Sequence, residues 1–429
     1  MMTLKGKMQI NNIIEAKQSS QIHSAEEIKF FIENLNTFSQ EEITQWLKAV
    51  KANGLTDKET STLTLAMADS GEVIDWGNLE PTLDKHSTGG IGDKITLLFV
   101  PLIAACGINI PKLSGRSLGI TGGTIDKLES IPGFRTNLSI DEIKEQVSKI
   151  GLAISGASIN LAPADKKLYA IRDVTGTVDS IPLIASSIMS KKLACGASNI
   201  ILDVKCGSGA FMKSLHDAKL LALEMVKIGK SNNKKVRAVI SNMSEPLGYK
   251  IGNLLEIEEV LEVLSGKEVS DLVEITLCLA KEAITMIGGS ESEEKLKDIL
   301  LGGKALSKFK LMVKVQGGNL STGFPKAKHI EVLKSNQDGY IQNIDALVLG
   351  EAVFELGAGR KTVLENIDHA VGIVLFKKHG DKVSKNEALL EIYSKSKEDA
   401  DKAKDKILSG IVFGQNQPTK LKLIHEVIG

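Results

Sequence analysis

Two glycine-rich segments do most to limit what this chain can fold into. The first, Lys85-His-Ser-Thr-Gly-Gly-Ile-Gly-Asp93, leads into an apolar-faced helical pattern at Ile95, Leu98, Phe99 and Leu102. The second runs from Ser114 to Glu129 as SGRSLGITGGTIDKLE, follows the strand-like run Ile108 to Ser114, and opens a helix near Thr124. A strand, a glycine loop and a helix in that order, used twice, suit the carboxyl edge of a parallel sheet, where ligands of α/β proteins collect. Glycine lets successive backbone N–H groups converge, and a following helix adds positive partial charge, so each loop suits an anion. Taken alone, either segment is equally compatible with a tight turn.

The rest of the chain supports an α/β reading with helical additions. Asn199 to Lys205 and Val236 to Ser241 read as buried strands, and residues 214 to 229 as a helix with Ala218, Leu221, Ala222 and Met225 on one face. Residues 10 to 70 read as helices, with capping-box character at Ser24 and a second helix opened at Ser39. A helical insertion spans about 164 to 194. From about Asn343 strand-like and helical runs alternate, with His379-Gly-Asp-Lys-Val expected to form a hairpin turn. At 429 residues, 42% of them hydrophobic, the chain is long enough for two or three domains.

Charge names no partner. Lys plus Arg and Asp plus Glu stand at 53 each, so no global field recruits nucleic acid or an acidic membrane. Cys106, Cys195, Cys206 and Cys278 form no CxxC pair and read as thiols in a reducing compartment. With no apolar leader-like run and no stretch of apolar residues long enough to cross a membrane, a soluble cytoplasmic protein is expected.

The loops carry a phosphate-binding set: Lys85 for charge, with Ser87, Thr96, Ser114 and Thr124 as hydroxyl donors. Neither loop has the spacing of the lysine-bearing nucleotide loop or a GxGxxG fingerprint with its following acid, so a small free phosphate fits better than ATP or a dinucleotide. In the helical insertion Tyr169 and Arg172 are three apart and Ser187 and Lys191 four apart, so each pair shares a helix face. Such donors suit a flat heterocycle with carbonyl oxygens. Ordinary surface charges would show the same spacing.

The stretches KHSTGGIGDK and SGRSLGITGGTIDKLESIPGF (85–134), LAPADKKLYAIRDVTGTVDSIPLIASSIMSKKLA (161–194), DVKCGSGAFMK (203–213) and SEPLGYKIGNLLEIEE (244–259) closely resemble the pyrimidine-nucleoside and thymidine phosphorylases, in order along almost the whole chain. The resemblance implies a small all-helical domain (1–70 plus 164–194), a large α/β domain with a central mixed sheet of the nucleoside phosphorylase and phosphoribosyltransferase type (71–163 plus 195–340), and a C-terminal α+β part (341–429) packed on the large domain. It implies phosphate on Lys85, Ser87, Thr96, Lys112, Leu113, Ser114 and Thr124, and the pyrimidine on Arg172, Ser187 and Lys191 with Tyr169 nearby. The implied reaction is reversible phosphorolysis of uridine, thymidine or deoxyuridine to free base and α-(deoxy)ribose 1-phosphate. His86 would be the acid, Arg172 and Lys191 would stabilise the leaving base, and inorganic phosphate would be co-substrate with no cofactor required. The implied assembly is a homodimer through the helical domain.

Two departures from the family pattern stand out. Ile120 replaces a histidine that, in the family, latches the closed cleft against the loop containing Gly207 and Gly209, which leaves closure either weaker or differently stabilised. Some relatives hold a cation at positions matching Gly92, Lys94, Leu247, Lys250 and Glu259. Here Lys94 replaces a threonine, which leaves two readings: a retained K+, or an ammonium in its place paired with Glu259. Two other functions compete: an anthranilate-type phosphoribosyltransferase, which needs magnesium and a pyrophosphate site, and a non-catalytic binding relative.

Overall fold

A computed structural model describes residues 9–116, 119–120, 122–156, 160–360, 362 and 365–429. Ser117, Leu118 and Thr121 of the second glycine loop lie outside the described residues. The chain opens with four helices, α1 (Ile10–Gln18), α2 (Ala25–Glu33), α3 (Gln40–Asn53) and α4 (Asp57–Ala68). Ser24, Ser39 and Thr56 close full capping boxes with Glu27, Glu42 and Glu59, which fixes where α2, α3 and α4 begin. Phe31 and Trp46 stack at 4.3 Å in the core of this bundle, with Ile43, Leu47 and Val50 fully buried around them.

The central sheet has the order β1 (Leu83–Ser87), β4 (Asn199–Cys206), β5 (Lys235–Asn242), β13 (Ile424–Ile428); the first three are parallel and β13 runs antiparallel to β5. The parallel pair β2 (Ile110–Ser114) and β3 (Leu152–Gly156) lies beside β1, joined where Leu83 N donates to Asn109 O at 2.9 Å. On one side, Ile201 and Val239 share a core with helices α5 (Ile95–Ala105) and α12 (Ser270–Met286). On the other, Ile200, Leu202 and Val204 pack with α9 (Ile181–Ala194) and α10 (Leu215–Ser231). Because strand side chains alternate faces, neighbours in sequence on β1 and β4 serve different layers. Short α6 (Thr124–Glu129), α7 (Ile140–Ile150), α11 (Asn253–Leu264), α13 (Glu293–Leu301) and α14 (Lys304–Val315) complete this unit.

The C-terminal part holds two small sheets, β6 (Lys250–Ile251)–β9 (Gly372–Leu375)–β11 (Ala388–Ser394)–β7 (His329–Lys334) and β10 (Lys382–Val383)–β8 (Gly339–Ile344)–β12 (Ile411–Gly414). Helix α15 (Ala346–Val353), which runs into a π turn at Phe354–Ala358, and α16 (Lys397–Ser409) cover a core of Ile341, Leu349, Ile373, Leu390 and Ile407.

Strand pairing joins segments far apart in the chain. β7 pairs with β11, so residues 329–334 belong with the C-terminal sheet, whereas the last strand β13 crosses back to the central one. The helical insertion serves both units, with Leu183 of α9 also in the bundle core. Helix α8 (Pro163–Thr175) packs into the N-terminal bundle through Leu168 and Ile171, while α9 buries Ala185, Met189 and Leu193 against the central sheet layer. Residues 379–380 do form a turn, but not a hairpin: it joins β9 to β10, which pair with different partners. Among the described residues no helix is long and apolar enough to cross a membrane.

Candidate active site

The alternation of β1 sorts the candidate residues. Lys85 and Ser87 face α5; Asp84 meets Lys192 of α9, and His86, two residues on, shares its side of the strand. On the α5 side Lys85 is fully buried, its Nζ 3.1 Å from Thr96 Oγ1 and 3.2 Å from Asp203 Oδ2. Asp203 also pairs with Lys205 at 2.8 Å and accepts from Ser241 Oγ at 2.6 Å. Ser87 Oγ donates to Asp93 Oδ2 at 2.5 Å and accepts from Gly89 N at 3.1 Å. Burial alone would raise the Asp93 carboxyl, but Lys205, Lys85 and Lys127 outweigh it and hold the group well below the usual carboxylate range. Lys127 Nζ donates to Asp93 O at 2.7 Å and pairs with Glu256 at 2.8 Å. Lys85 is therefore not a loose cation aimed at the loop. It sits in a balanced network of lysines and carboxylates, and an incoming anion has to compete with Asp203 for it.

The first loop is tied to β4 through Thr88. Thr88 N donates to Asp203 O at 3.0 Å, and Thr88 Oγ1 accepts from Lys205 N at 2.8 Å. Gly92 has φ +70°, and a Cβ there would lie 2.5 Å from Leu247 O, so only glycine suits this corner.

On the α9 side, Asp84 is fully buried between Lys192 at 2.7 Å and Lys112 at 3.8 Å. Lys112 Nζ donates to Leu113 O at 2.7 Å, which occupies that carbonyl. Burial and then the repulsion of Lys192 bring the Lys112 ammonium down to about 7, with Asp84 opposing. Among the described residues, His86 Nε2 is buried without a hydrogen-bond partner. Burial, followed by the charges of Lys192, Lys112, Lys191 and Lys85, pushes the imidazole well below its ordinary value, so it is neutral at neutral pH. Ser114 ends β2 and Thr124 opens α6, so they flank the second loop from its two ends.

In the insertion Arg172 is buried, and its guanidinium reaches three backbone carbonyls: Thr177 O at 3.3 Å, Val178 O at 2.9 Å and Leu183 O at 2.9 Å. It thereby shapes the turn between α8 and α9. Lys191 is ion-paired with Asp165 and donates to Ser187 Oγ at 3.1 Å. Tyr169 is 53% exposed. Asp84, Asp93, Asp165, Asp203, Lys127, Lys192 and Lys205 join the site without any local sequence signal that marks them. Several lie inside the quoted family stretches, but their pairing joins segments more than 100 residues apart, as Lys85 to Asp203 and Lys127 to Glu256 do.

The five candidate cation ligands leave no open cage. Lys94 is fully buried and its Nζ donates to Leu247 O at 2.9 Å, Lys250 O at 2.7 Å and Glu259 Oε2 at 2.6 Å, which uses all three ammonium protons. The Gly92 carbonyl accepts from Lys94 N at 2.9 Å. The ammonium thus stands among the carbonyl and carboxylate oxygens proposed for a cation. Among the described residues no cluster of His, Cys, Asp or Glu is suited to hold a metal. Ile120 packs on the C-terminal core and, with Ile91, Ile251, Val353 and Phe354, lines a cavity of about 20 Å³.

Comparison with known proteins agrees with this architecture. The glycosyl transferase family a/b domain model matches residues 79–306, the helical bundle domain model of the same family residues 11–71, and the pyrimidine nucleoside phosphorylase C-terminal domain model residues 340–414. The chain is 45% identical to a pyrimidine-nucleoside phosphorylase of Geobacillus stearothermophilus over 98% of its own length and 100% of the relative's. It is 44% identical to the proteins of that name from Staphylococcus haemolyticus and Bacillus subtilis, with the same coverage. Among solved structures, anthranilate phosphoribosyltransferase from Thermus thermophilus superposes with a TM-score of 0.58 at 16% identity, over 71% of this chain and 99% of that one, a likeness of fold alone. Matched along all but its ends by relatives of one name, and by domain models in the same order, the chain belongs to the pyrimidine-nucleoside phosphorylase family.

Proposed function

We propose that this chain catalyses reversible phosphorolysis of pyrimidine nucleosides, taking uridine, thymidine and deoxyuridine with inorganic phosphate to the free base and the α-(deoxy)ribose 1-phosphate. The observation that carries this reading is the division of β1: Lys85 and Ser87 join an anion-suited loop network on one face, and His86 lies toward the basic end of α9 on the other. A phosphate oxygen attacks C1′ from the side opposite the base, and the C1′–N1 electron pair leaves with the pyrimidine. The result is inversion, with no covalent enzyme intermediate. Negative charge gathers on the base carbonyl oxygens. Arg172 has five N–H groups, three of them engaged, and the remaining two together with Lys191 are suited to meet that charge.

His86 needs a proton to act as acid, and four nearby lysines oppose one. A bound phosphate offsets those charges, so phosphate binding primes His86. The tethered ammonium of Lys94 supplies the charge that an alkali cation would bring. Lys94→Thr is expected to leave activity dependent on added K+, and activity indifferent to K+ in that variant would refute the substitution. A homodimer through the helical domain and a cytoplasmic location complete the proposal.

An absorbance assay with each of the three nucleosides plus phosphate tests the reaction, with phosphoribosyl pyrophosphate, magnesium and an aromatic amine as the competing arm. Base release that requires phosphate supports phosphorolysis. Turnover only in the second arm would transfer the chain to the phosphoribosyltransferases, and no turnover in either would make it a binding relative.

A further inference from the structure

A buried polar junction between the second glycine loop and the C-terminal part is used by none of the chemistry above. Asp126, in the first turn of α6, is 2% exposed and accepts from Arg360 Nη2 at 2.7 Å; the Arg360 side chain is 8% exposed. The Arg360 carbonyl accepts from Gly119 N at 3.2 Å. One residue thus grips the loop before and after Gly122 and Gly123, by its backbone and by its side chain. The adjoining chain is seated by Asn253 Nδ2, which donates to Ala358 O at 2.8 Å. The approach is close enough that a Cβ on Gly359 would stand 2.8 Å from Gly119 O and 2.4 Å from the Phe354 ring. Ile120 adds an apolar contact to the same core.

We infer that Arg360 is a positioning residue for the phosphate-binding loop, so that the C-terminal part completes the phosphate site without touching the anion. This rests on the phosphorolysis reading and on Ser114 and Thr124 flanking the anion. A glycine-rich loop has many conformations, and an anion that binds through its amides and hydroxyls must overcome the entropy of ordering them. Two anchors from Arg360 fix Gly119 and the start of α6 beforehand, and the saving appears as phosphate affinity. Without the guanidinium, the buried Asp126 carboxylate loses the donor at 2.7 Å that compensates its charge, and the first turn of α6 has reason to shift.

The test is steady-state kinetics on the full chain with Arg360→Gln, Arg360→Lys and Gly359→Ala, varying phosphate and uridine separately. Arg360→Gln and Gly359→Ala are expected to raise KM for phosphate about tenfold or more, while KM for uridine and kcat at saturating phosphate stay within about threefold. Arg360→Lys, which can still reach Asp126, should recover part of the loss. Gly359→Ala keeps the ion pair and decides the matter if Arg360→Gln does not fold. Unchanged phosphate KM in both variants, or equal losses for both substrates, overturns the inference. Lys85→Ala separates the two levels: if it raises phosphate KM and these variants do not, the positioning role fails while the phosphate site stands. If Lys85→Ala leaves phosphate KM alone, the underlying site assignment fails.

Discussion

His86 sits where its neighbours oppose the state its proposed role requires. A lowered imidazole value means the free enzyme carries it neutral and charges it only at pH below the ordinary histidine range. A phosphate dianion beside Lys85 offsets one of the charges that oppose the proton, so the phosphate complex should hold His86 protonated at higher pH than the free enzyme does. Nitrogen-detected NMR of the imidazole, titrated with and without phosphate, reads this directly: an upward shift is expected, and an unmoved titration would remove His86 as the acid. The residue itself was legible from its place beside the first loop. Its electrostatic setting was not, because Lys192 and Lys112 reach it from a different helix and strand, and a linear sequence does not say which side of β1 each will occupy.

At the scale of elements, short apolar runs and glycine punctuation were enough to place β2, β4, β5, α5 and α10, since a buried parallel strand and an amphipathic helix each carry a local pattern. What escaped was pairing at a distance: β7 and β13 are short and join sheets far along the chain from where they lie. Arg172 shows the same limit within the site. Helical spacing put it on one face with Tyr169, but its three carbonyl contacts to the α8–α9 turn come from tertiary folding. It closes that turn, and in the proposed reaction it also meets the base. Arg172→Ala should lower kcat/KM by about 10²–10³, the scale for losing a donor to developing negative charge. Arg172→Lys should preserve less than its charge suggests, because a lysine cannot span three carbonyls in a fork. A near-normal rate for Arg172→Ala would take the residue out of the mechanism.

For the whole molecule, the account depends on two substrates being held by different layers: phosphate by the α5 side of the central sheet and the second glycine loop, the pyrimidine by α8 and α9. The buried lysine–carboxylate network on the α5 side is coupled to Asp203 and Asp93, and nothing in it reaches the Arg172 turn through the contacts described above. The most direct measurement is the pair of Michaelis constants in Lys85→Ala beside those of the unaltered chain, with phosphate and uridine each varied at saturating levels of the other. The account predicts a large rise in KM for phosphate with KM for uridine nearly unchanged. Equal losses for both substrates, or a rise confined to uridine, would contradict it.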